Sequence, residues 1–120
     1  MNIRTICLVS VSVVLLTFLI PQPLDAFFYD GINLVKKMRE YEKAEAGDRD
    51  TNFPHAWAYR SYVIGVCDAT DFMYDIPSEI VVGQICAIVL KFLNEHPERW
   101  SEPARDLIIE ALKQAFPKKR

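Results

Sequence analysis

The sequence is poor in the groupings that chemistry needs. It has two histidines, His55 and His96, and three cysteines, with no Cys-x-x-Cys or His-x-x-x-His spacing from which a metal cluster could be built. Its four glycines are scattered, which leaves no phosphate-cradling loop. Fourteen basic residues face sixteen acidic ones, for a formal charge of -2. No basic face carries interleaved aromatics, so nucleic acid is not an expected partner. No stretch alternates with the period of a strand.

Nucleophilic catalysis needs a base within hydrogen-bond reach of the nucleophile. The candidate pairs are Cys67 with His55 and Cys86 with His96. Each pair lies ten or twelve residues apart on one expected helix, a separation of roughly 15 Å or more along the axis. Neither pair can touch within its helix, so no catalytic residue, metal or cofactor is expected. His96 reads as a helix-end residue.

One long apolar run is present. After Arg4 the chain carries no charge from Thr5 to Pro21 and then passes through Pro23, Leu24, Asp25 and Ala26. This pattern predicts a signal peptide over residues 1–26, cleaved after Ala26, and a single domain over residues 27–120. Cys7 lies too early to be a lipid attachment site. The competing reading is an uncleaved inner-membrane anchor. The run approaches but does not reach the roughly twenty residues that span a bilayer, and Leu24 is bulky for its place before a cut. Contact with a membrane is expected only through this leader.

Beyond it, apolar residues recur at steps of three and four in four stretches, which predicts an all-α bundle of four main helices. Helix one spans Phe27 to Ala46, capped by Asp30, with Leu34, Val35, Met38 and Tyr41 inward. Helix two runs from about Asn52 to about Met73, with Ala58, Tyr62, Gly65, Val66, Ala69 and Met73 inward and Gly65 placed for close packing. Helix three carries Val82, Ile85, Cys86, Val89, Phe92 and Leu93; Ala87, Ile88 and Leu90 widen that stripe, which predicts a central position. Helix four starts from Ser101, Glu102 and Pro103 and turns Ala104, Leu107, Ile108, Ala111, Leu112 and Ala115 inward.

Cys67 and Cys86 remain after the leader, in a compartment that permits a disulfide; buried free thiols are the alternative. Asp71, Tyr74, Asp75 and Glu79 form the candidate partner-binding edge, acidic and aromatic, beside Asp68.

From Tyr62 onward the order and spacing of residues resembles the Rap/Tai family of immunity proteins. The resemblance is carried by Tyr62-Val63-Ile64-Gly65-Val66 with Asp68 and Ala69, by Ile76-Pro77 and Val82-Gly83-Gln84, and by Val89 to Leu93. It continues through His96-Pro97-Glu98 and then Ala104, Leu107, Ile108, Ala111, Leu112, Ala115, Phe116 and Pro117. It covers about two-thirds of the chain after the leader. The family has cysteines where this sequence has Met38, Tyr59, Asp75 and Lys118, so its usual disulfide framework is absent. Val81 stands where the family has a threonine able to form a capping box with Gln84.

The resemblance implies a periplasmic antidote that occludes the active site of a peptidoglycan amidase delivered by type VI secretion, with a homodimer as one arrangement. A blocking protein needs shape and complementary polar groups and no reactive residue of its own. The alternative class is a periplasmic stress or chaperone-like protein that binds clients through its apolar faces.

Overall fold

In the computed structural model, which describes residues 28–119 together with residues 2 and 3, Asp30 opens the first helix. Its carboxylate accepts the Asn33 N–H at 2.7 Å, and α1 spans Gly31–Glu45. The expected leader, with Cys7 and the cleavage after Ala26, lies outside the described residues, apart from residues 2 and 3; helix one starts later than the expected Phe27, because residues 28–30 are not helical and Asp30 is the cap.

α1 ends in a pair of reversed hydrogen bonds. The Asp48 N–H reaches the Lys43 carbonyl at 3.0 Å and the Gly47 N–H reaches that of Ala44 at 3.1 Å. Gly47 supplies the φ of 74° that this ending requires. Asn52 then caps α2, Phe53–Ala69, by accepting the His55 N–H at 3.2 Å, with Pro54 in the first turn. The Asn52 N–H donates to the Glu40 carboxylate at 2.7 Å, which ties the loop to α1.

α2 stops at Ala69, short of the expected Met73. The Thr70 hydroxyl donates back to the Val66 carbonyl at 2.7 Å and the Tyr74 hydroxyl to that of Cys67 at 2.9 Å. Side chains thus occupy carbonyls at the helix end, and the backbone turns through a 3-10 turn at Asp71–Met73. The buried stripe of α2 is also a different one: Ala56, Tyr59, Val63 and Cys67. The expected stripe failed because this helix is apolar almost all round, so spacing alone cannot choose the buried face. Gly65 is exposed, and a Cβ there would meet nothing within 4 Å, so it serves no packing inside the chain.

α3 spans Val82–Glu95 and α4 spans Ala104–Ala115, with a 3-10 turn at Pro97–Arg99 between them. Val81 cannot cap with its side chain, but Gln84 keeps half of the box by accepting the Val81 N–H at 3.0 Å. α1 packs most extensively on α2, and α3 on α4. α3 is not central. It buries Ile85, Cys86, Val89, Phe92 and Leu93, while Val82 and Ala87 are exposed and Ile88 and Leu90 half-buried. With four helices, each keeps a face toward solvent. Among the described residues the β-structure is one isolated bridge, Asp30 with Pro103.

That bridge belongs to the tightest junction in the fold. The Gly31 and Ile32 N–H groups donate to the carbonyls of Glu102 and Trp100, and the Ala104 N–H donates to that of Tyr29, each at 2.9 Å. Donors that have no partner within their own helices are thereby satisfied across the junction. Ser101 does not cap α4; Pro103 occupies the cap position, with no side-chain bond. A Cβ on Gly31 would lie 2.7 Å from the Trp100 carbonyl oxygen and 2.8 Å from its Cα, so this contact exists only with glycine.

The core gathers Leu34, Met38, Tyr59, Val63, Val89, Leu93, Leu107, Ile108 and Leu112, all nearly or wholly inaccessible. Each large aliphatic contributes about 1.5–3 kcal/mol by leaving water. Tyr59 is completely buried, and its hydroxyl donates to the Cys86 carbonyl at 2.8 Å, so its one polar atom has a partner.

Two outcomes follow from this packing. Gly31→Ala should lower unfolding free energy in urea by about 1–3 kcal/mol through overpacking, whereas Gly65→Ala should be neutral or raise it by up to about 1 kcal/mol; equal effects would refute the junction. Burial pushes Tyr41 and Tyr74 up to about 12 from an ordinary 10.0, and Cys86 up to about 11 from 9.0. The folded state therefore holds protons that the unfolded chain releases. The associated stability is whole below about pH 9 and should fall progressively between about pH 9 and 12. Urea midpoints followed by circular dichroism should drop across that window, and Tyr41→Phe should flatten the drop; constant midpoints would contradict it.

Candidate protein-binding surface

Cys67 and Cys86 are the chain's nucleophile candidates within the bundle. Both are buried and free. The two sulfurs are not joined in this structure, and each lies on the buried stripe of its own helix. Burial raises both thiols above the ordinary range, the opposite of what an attacking sulfur needs. His96 ends α3: its ring lies 4.5 Å from that of Phe92, and its Nδ1 is 3.2 Å from Glu98 Oε1. His55 sits in the exposed first turn of α2. Among the described residues no group of three or more His, Cys, Asp or Glu is placed to hold a metal ion.

The structure divides the candidate acidic edge. Tyr74 is only 2% exposed. The 3-10 turn folds it back under the end of α2, where its hydroxyl meets the Cys67 carbonyl, so its ring is a core element and not a contact surface. Asp75 is half-buried and occupied. Its carboxylate accepts the Lys119 N–H at 2.7 Å and lies 3.3 Å from Lys118 Nζ, which fastens the C-terminal tail beside the Phe116 carbonyl that Asp75 N–H reaches at 3.3 Å. The Lys119 N–H first, then Lys118, hold this carboxyl below its ordinary range. Asp71 and Glu79 remain exposed. Asp71 and Phe72, the latter 69% exposed, line a shallow depression of about 470 Å³ with Asp75, Ile76 and Lys118.

A second surface was not foreseen. Along the outward side of α2 stand Phe53, Trp57, Arg60, Ile64 and Asp68, with Val81 and Val82 beside them at the start of α3. Trp57 is 59% exposed, and the Arg60 guanidinium sits over its ring at 5.5 Å. Phe53 and Trp57 also frame a notch of about 100 Å³ against Tyr41, Glu45 and Arg60. Tryptophan and arginine in such a cluster are the residue types that dominate protein interfaces. Their spacing from Phe53 to Trp57 to Arg60 to Ile64 was visible in the sequence, but only the burial of the opposite stripe shows that it faces outward.

The sequence pattern of the Rap1a immunity proteins matches residues 33–117, which takes in nearly all of the four-helix bundle. No curated protein matches the chain.

Thiol chemistry gives a direct check on the placement of these two cysteines. In native protein at pH 8, iodoacetamide should leave Cys67 and Cys86 unmodified over hours, with full alkylation in urea. Rapid alkylation of either residue in the folded state would contradict their buried, protonated placement.

Proposed function

The chain belongs to the Rap1a immunity protein family, and from that membership we propose that it protects its producing cell from a type VI secretion toxin. In this reading residues 1–26 direct export, and the bundle acts in the periplasm. There it binds one cognate peptidoglycan amidase and covers that enzyme's active site. The observation that carries the reading is the family match across residues 33–117.

Three features support it. An inhibitor that works by occlusion needs a rigid surface and no reactive group, and both thiols here are buried and held protonated. No helix among the described residues is long and apolar enough to cross a membrane, so the bundle itself makes no demand for a bilayer. Asp71 and Phe72 line one depression and are both exposed, as is Glu79 further along the loop; carboxylates with an exposed aromatic ring are a mixture suited to the rim and anchor of an interface. Tyr74 and Asp75 support that edge from below, by fixing the end of α2 and the tail.

Co-expression in the periplasm with the product of any amidase toxin gene neighbouring this one tests the reading. Cells should survive with the chain present and lyse without it, and the two proteins should co-purify at fixed stoichiometry. Replacing Asp71 and Glu79 by lysine should weaken that complex about tenfold or more with the urea midpoint unchanged. Lysis in the presence of the folded chain, with no complex formed, would sink the proposal. General suppression of aggregation by unrelated proteins, without a stoichiometric partner, would favour the chaperone-like alternative instead.

A further inference from the structure

We propose that the notch between α1 and α2 is a binding site for a free α-amino acid with a branched aliphatic side chain, whose ammonium meets Glu45 and whose carboxylate meets Arg60. The notch holds about 100 Å³. Its floor is the buried pair Tyr41 and Ala56, its walls are the rings of Phe53 and Trp57, both more than half exposed, and Glu45 and Arg60 stand exposed at its mouth. A concave, mostly apolar site on which a few polar groups converge is the form that small-molecule sites take.

Charge selects the class of ligand. Glu45 and Arg60 carry opposite charges and line the same small notch, yet neither takes part in an ion pair among the described residues, with the other or with any neighbour. Both reach its floor. Burial first, then Cys86 and Glu45, push the Tyr41 phenol up to about 12, and Arg60 opposes them. A simple cation would find a guanidinium already seated over the Trp57 ring at 5.5 Å, and a simple anion would find the Glu45 carboxylate. A molecule that brings one charge of each sign on adjacent groups satisfies both by charge-assisted hydrogen bonds. Glu45 is also the last residue of α1, so the negative end of that helix adds to the attraction for the ammonium.

Size selects the side chain. A cavity of about 150 Å³ accepts benzene, so a notch of about 100 Å³ that opens to solvent suits a leucine-sized side chain better than an aromatic one. Packed between Phe53 and Trp57, that side chain leaves water while the amino-acid head stays at the mouth. Asp71 and Glu79 are no part of the site, which stands apart from the immunity reading.

The two tryptophans make the test. Trp57 walls the notch, whereas the Trp100 indole N–H is held on the Leu93 carbonyl, so their indole signals in proton–nitrogen NMR spectra of the purified chain serve as reporter and control. Leucine should move the Trp57 signal saturably, with a dissociation constant on the order of 1 mM, and leave that of Trp100 in place. Leucinamide, which lacks the carboxylate, and N-acetylleucine, which lacks the ammonium, should each bind at least about fivefold more weakly. Arg60→Gln should weaken leucine to the level of leucinamide, and Glu45→Gln should weaken it to the level of N-acetylleucine. Both residues are exposed, so neither change should disturb the fold, which circular dichroism checks. A Trp57 signal that does not respond to leucine at high millimolar concentration, equal binding of leucine and its two blocked forms, or variants that bind leucine normally would each overturn the proposal. Protection from the toxin by a chain whose Trp57 ignores leucine would remove this site and leave the immunity reading standing.

Discussion

The fold depends on the junction where the starts of α1 and α4 are stitched together. The first turn of a helix has N–H groups with no carbonyl one turn back, and a small bundle has little buried volume in which to hide them. Here Gly31 and Ile32 donate to Glu102 and Trp100, and Ala104 donates to Tyr29. The arrangement joins the beginning of the described chain to its last helix and so closes the order of helices into one body. The surrounding side chains reinforce it: Arg99 makes two bonds of 2.8 Å to Glu102, and the Trp100 indole N–H reaches the Leu93 carbonyl at 2.8 Å. Gly31 is the residue without which the backbones could not come so close.

That junction matters more because no disulfide is formed among the described residues. Met38 and Tyr59 are both fully buried in the apolar core, and Asp75 and Lys118 form an ion pair at 3.3 Å. The core pair is the stronger contribution, since buried aromatic and thioether groups contribute full burial energy. Exposed ion pairs contribute little, so the tail beyond Phe116 is held chiefly by the Lys119 N–H on Asp75. Cys67 and Cys86 are free and are ordinary core residues.

Much of this was legible in the sequence because amphipathic spacing reports helices well. The α1 stripe of Leu34, Val35, Met38 and Tyr41, the Asp30 cap and the start of the second helix near Asn52 all read correctly. The buried face of α2 did not, since apolar residues surround it and the choice between stripes is made by tertiary contacts such as Tyr59 on the Cys86 carbonyl. Gly65 was misjudged for a related reason, and Gly31 drew no notice. A glycine in mid-helix draws notice, yet Gly65 meets nothing, while the need for Gly31 arises from a loop seventy residues away. Tyr74 seemed part of an acidic face until the turn at Asp71–Met73 reversed its direction. Its hydroxyl bonds inward, and sequence spacing carries no sign of that.

A bundle with Cys67 and Cys86 buried and with aromatic and charged groups on display suits a protein that works by fit. The junction holds the helix starts together, so hydrogen exchange is the measurement that bears on it most directly. The amides of Gly31, Ile32 and Ala104 should exchange only through global unfolding, as slowly as those of Val89 and Ile108 in the core. Exchange of those three amides at the rate of an exposed loop, with the core still protected, would show that the helix starts are not joined and would contradict the account.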